Sequence, residues 1–111
     1  MRRLPWERPY YWLNTAGEAE RCHDALTWAT WFETADRQIA QTVIDEDTVV
    51  STVFLGMDHN WAGGPPVLWE TLVFGGALDG TMDRYQSREE AEAGHREMVA
   101  RALVASDYPS P

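Results

Sequence analysis

Apolar and polar positions change period several times along the chain, and each change marks an element. Over residues 23–38, Trp28, Phe32 and Ala35 recur at i, i+4 and i+7, with Trp31 and Ile39 beside them; Thr27, Thr30, Asp36 and Arg37 lie opposite. That spacing predicts one helix, with Asp24 placed to cap its first free N–H groups. Residues 39–45 (IAQTVID) alternate with period two. After the acidic turn Asp45-Glu46-Asp47, residues 48–57 (TVVSTVFLGM) carry the strongest strand pattern in the chain. Further strands are predicted over 67–74 (VLWETLVF) and 81–85 (TMDRY), joined by GGALDG. Helical spacing returns over 88–105, where Ala91, His95, Met98 and Ala102 form a stripe flanked by Val99 and Leu103. Ser87-x-x-Glu90 reads as its capping box.

The expected fold is therefore α+β. An antiparallel four-stranded meander carries an N-terminal and a C-terminal helix on one face, in the order α-β-β-β-β-α. Residues 1–20 hold Pro5 and Pro9 with Trp6, Tyr10, Tyr11 and Trp12 but no clear period. They read as an aromatic, proline-rich arm lying on the domain or on a second subunit, with a polar link at 14–20. Residues 21–105 make the single domain and 106–111 a frayed tail, where Pro109 stops the helix.

Composition narrows the function classes. The 111 residues suit one domain. A net charge of −9, from 18 acidic and 9 basic residues, argues against a sequence-independent nucleic-acid binder, which gains affinity by neutralising phosphates. No apolar run nears the roughly 20 residues of a bilayer span, and no signal peptide is visible. A cytoplasmic protein without membrane or nucleic-acid partners is expected. All basic residues are Arg, in keeping with GC-rich coding. Cys22 is the only cysteine, so neither an internal disulfide nor a multi-cysteine zinc site is available.

Four residues are candidates for catalysis. Asp58 and His59 leave the strongest strand and enter the loop DHNWAGGPP; strand ends suit chemistry, yet Asp there also closes loops through backbone amides. Glu70 shares a strand face with Leu68, Leu72 and Phe74. It either pairs with a cation such as Arg84 on the next strand or serves as a site carboxylate. His95, central on the last helix, is either a satisfied core histidine or half of a His–carboxylate pair with Glu70 or His59. No HxH, HExxH or CxxC spacing occurs, so no metal and no cofactor are predicted.

The tryptophans point to binding. Trp61, Trp69 and Tyr85, with Trp6 and Trp12 of the arm, can form a stacking pocket for a flat ligand or an anchor for a protein. The strand face bearing Val67, Trp69, Thr71 and Val73 is too apolar to stay wet. A second subunit, or the arm itself, is expected to cover it, and a homodimer follows.

The stretch VSTVFLGMDH, continuing through PPVLWETLVFGG and ending in DRYQSREEAEAGH, resembles a family of small proteins encoded by bacteriophages and prophages of GC-rich bacteria. The likeness spans roughly residues 43–100. It implies a phage-borne accessory protein acting inside a bacterial cell, and it brings no catalytic or binding residue with it. The expected function is a non-enzymatic binder of a host protein or small molecule, including a counter-defence role. The alternatives are a small hydrolytic or metal-dependent enzyme built on Asp58, His59, Glu70 and His95, and a virion structural or assembly factor.

Overall fold

The computed structural model describes residues 9–106. Strands β1 (Tyr10–Leu13) and β2 (Ala19–Cys22) form an antiparallel hairpin, followed by helix α1 (Ala25–Thr34). Strands β3 (Gln38–Val43), β4 (Val49–Phe54), β5 (Trp69–Phe74) and β6 (Met82–Tyr85) make an antiparallel sheet in sequence order, and helix α2 (Arg88–Ser106) closes the fold. The α+β class and the four-stranded meander stand. The order is corrected by the hairpin, which places α1 between β2 and β3.

The arm expected over residues 1–20 is, from Tyr10 onward, this hairpin, folded onto its own chain. Its turn follows from local chemistry. The Asn14 side chain accepts from the backbone N–H of Ala16 and Glu18, each at 2.9 Å, and Gly17 takes a left-handed φ of +79°. Trp6 and the tail beyond Ser106 lie outside the described residues.

Helix α1 starts where Asp24 accepts from the N–H of Thr27, as the cap predicts, but ends four residues before the expected boundary. Ala35 is extended, and the Asp36 carboxylate accepts from Gln38 N at 3.1 Å, which starts β3. The expectation that both helices cover the sheet is also corrected. α1 packs on the hairpin, through Tyr10 against Trp28 with ring centroids 4.8 Å apart and the Trp28 indole N–H donating to Tyr11 O at 2.7 Å. The hairpin in turn joins the end of β4, where Tyr11 N donates to Gly56 O at 2.8 Å. Gly56 has φ +80°, and a Cβ there would press on Trp28 and Phe32.

α2 alone lies along the sheet, burying Ala91, His95, Met98 and Ala102, the stripe its spacing predicts. The core it makes with the sheet has two apolar clusters. Val50, Val73, Met98 and Ala102 form one; Phe54, Leu68, Trp69 and Ala91 form the other, with Tyr11, Leu13 and Trp31 from the hairpin and α1 packed against it. Between them runs a row of threonines.

Register decides which sheet face is wet. Val50 pairs with Val73, Thr52 with Thr71 and Phe54 with Trp69, and all six side chains are buried. The face bearing Trp69, Thr71 and Val73, expected to be covered by a second subunit or by the chain's own arm, is covered by the chain's own α2 and by the hairpin that the arm forms from Tyr10 onward. The opposite face carries the cross-strand rows Val43–Val49–Phe74, Gln41–Ser51–Leu72–Met82 and Gln38–Val53–Glu70–Arg84. Among the described residues no helix packs on it.

Candidate functional site

His95 is placed by α2 over the middle of the sheet and is 6% exposed. Its Nε2 lies 2.8 Å from the Thr42 hydroxyl of β3 and its Nδ1 2.7 Å from the Thr52 hydroxyl of β4. The Thr52 hydroxyl also lies 2.5 Å from that of Thr71 on β5. A neutral imidazole has one donor and one acceptor, and hydroxyls complete both. Burial holds its pKa below the ordinary 6.5, which favours that neutral form. Both of its hydrogen-bond partners among the described residues are uncharged hydroxyls, so the arrangement is a satisfied polar seam that fixes α2 on the sheet.

Glu70 points the other way. It alternates with Thr71 along β5, so it stands on the open face, while His95 sits on the Thr71 face. Arg84 Nε donates to Glu70 Oε2 at 3.0 Å, the cross-strand pair anticipated from the sequence. Leu68, expected beside Glu70, is instead buried with Phe54, because it precedes the regular pairing of β5.

Asp58 is 2% exposed, and one carboxylate oxygen accepts from Asn60 N at 2.7 Å and Val67 N at 2.9 Å. It closes the 58–66 loop, the architectural role weighed for it. His59 Nδ1 donates to Met57 O at 2.8 Å, and its ring meets Trp61 edge-on at 6.2 Å between centroids. The four candidates therefore occupy separate places: the core, the open sheet face and a loop. Among the described residues no group of three His, Cys, Asp or Glu side chains is arranged to hold a metal.

The aromatic candidates separate too. Trp69 is buried edge-on to Phe54 at 5.5 Å, and Tyr85, its cross-strand partner, is half-buried. Among the described residues the Trp69 indole N–H has no hydrogen-bond partner, and burial pushes the Tyr85 phenol above its usual value. Trp61 is 49% exposed on its loop. Trp69 lines a pocket with Gly17, Glu18, Ala19, Ser87, Arg88 and Glu89, and neither Trp61 nor Tyr85 is part of that lining.

Trp12 does line a concavity, together with Trp31 of α1. A groove of about 570 Å³ runs between β1 and α1, with Trp12 and Trp31 as its aromatic walls and Leu26, Thr27, Thr30 and Thr34 completing it. Volume and lining suit a small organic molecule or an inserted side chain. Trp31 was recognisable from its place beside, rather than on, the Trp28–Phe32 stripe. No helix among the described residues is long and apolar enough to cross a membrane. No protein-family model, curated protein or solved structure matches the chain.

Proposed function

We propose that this chain is a non-enzymatic binding module: a phage-encoded accessory protein that engages a host protein or a small molecule in the bacterial cytoplasm and acts as a homodimer. The groove between Trp12 and Trp31 carries the reading. Two half-buried indoles beside an apolar Leu26 that is 76% exposed offer a surface on which a flat ring or an inserted side chain can stack. The phage context rests on the likeness of residues 43–100 to that family. The groups on which an enzyme would be built are committed elsewhere: His95 to threonines, Glu70 to Arg84, Asp58 to backbone amides and His59 Nδ1 to the Met57 carbonyl.

The test is capture from host lysate with mass analysis of retained proteins and small molecules, comparing wild type with Trp12→Ala and Trp31→Ala. A ligand held by wild type and lost from both variants is expected. Equal retention by all three, or none by any, contradicts the groove.

A further inference from the structure

We propose that the open face of the four-stranded sheet is the surface through which two copies of this chain pair. The inference rests on the homodimeric reading above and assigns it a surface.

Three observations favour a second copy over other occupants. The first is charge. Glu70 and Arg84 are the only ionised side chains in the three rows, and they neutralise each other within one chain that carries −9 overall. A cationic partner is drawn to the acidic surface elsewhere, whereas a net-neutral face on which Val43, Val49, Val53, Leu72, Phe74 and Met82 stand suits its own image. The second is shape. Bulky Leu72, Phe74 and Met82 stand on β5 and β6, while Val49, Ser51 and Val53 leave β4 low. A two-fold axis parallel to the strands sets the bulky β5 of each copy over the low β4 of the other, the self-complementarity an isologous contact requires. Stacked sheets in sandwiches meet in this aligned manner.

The third is area. Four strands about 4.8 Å apart and about six residues long at roughly 3.3 Å each give a plan area of about 400 Å² per copy. Two corrugated faces of this size remove on the order of 1,000 Å² from water in total, at the low end for specific association. Phe74 is 52% exposed, Met82 45% and Val43 68%, so the apolar side chains are available for it. A reversible dimer in the micromolar range is the outcome, and added salt tightens it by screening two like-charged chains.

Sedimentation velocity of the full chain across roughly 1–100 µM tests this, the range where such an interface half-assembles. Wild type is expected to pass from monomer to dimer. Phe74→Arg and Val43→Arg, both at exposed positions that leave the core intact, should each weaken pairing at least tenfold. Val104→Arg, exposed on α2, should not. Wild type that dimerises while both face variants pair equally well overturns this assignment and leaves the homodimer standing. Wild type that stays monomeric throughout overturns the homodimer as well. A monomer whose face variants lose a lysate protein that wild type retains gives the face to that partner and overturns pairing.

Discussion

The Thr52 hydroxyl lies 2.7 Å from Nδ1 of His95 and 2.5 Å from the hydroxyl of Thr71, so one side chain ties α2 to two strands at once. It does so at the level where the apolar core is interrupted, between the Val50–Val73 and Phe54–Trp69 layers. A helix slipped by one turn along the sheet would set His95 against one of those apolar layers with nothing to bond. The seam therefore fixes the position of α2 as well as contributing to its stability.

The first prediction concerns pH. His95 has a native pKa below 6.5, the value expected of the unfolded chain. Above about pH 6.5 it is neutral in both states and its contribution is complete. As pH falls through that value, the unfolded chain takes up a proton that the native state refuses, and stability drops. The loss stops once pH passes below the native pKa. Urea unfolding followed from neutral to mildly acid pH should show this decline, and His95→Gln should remove most of it; an unchanged slope in the variant would place the effect elsewhere.

Thr52→Val keeps shape and deletes the bridging hydroxyl. It strands His95 Nδ1 and the Thr71 hydroxyl in the core, and a loss of about 1–3 kcal/mol is expected in chemical denaturation. Adding His95→Leu should cost less than the sum of the two single changes, because the second removes a group the first left unsatisfied.

Gly94→Ala separates packing from propensity. Alanine in an exposed helix interior adds up to about 1 kcal/mol over glycine. Here a Cβ at Gly94 would run into the Tyr85 ring and hydroxyl. The variant should be less stable than wild type, by about 1–3 kcal/mol, with partial recovery in the Gly94→Ala/Tyr85→Phe double variant. A gain in melting temperature for Gly94→Ala would contradict this packing.

Much of the fold was legible because its rules are local. Asp24 and Ser87 mark helix starts, and the Ala91–His95–Met98–Ala102 stripe names the buried face of α2 directly. The hairpin was not legible: in AERC only Cys22 is buried, and the turn signal Asn14-x-x-Gly17 was read as a link. The wet face of the sheet was misjudged because both alternations of VLWETLVF are mostly apolar. Glu70 was the signal, since an ion pair with Arg84 belongs on the accessible side. The separation of the four catalytic candidates depends on strand parity and long-range pairing, which spacing within one segment does not carry.

The Glu70–Arg84 pair supplies a fourth prediction. Arg84 is 39% exposed, so solvent screens the pair, and Glu70→Gln should shift stability by less than about 1 kcal/mol. A larger loss would mean that Glu70 does more than balance Arg84.

Methyl NMR over a concentration series reads the open face without perturbing it. The Val49, Val53 and Leu72 methyls should shift together as concentration rises through the micromolar range, while those of Leu26 and Val104 on the helices stay fixed. Concentration-independent methyls on the sheet, or shifts confined to the helices, would contradict an account in which this protein works by association through its uncovered sheet.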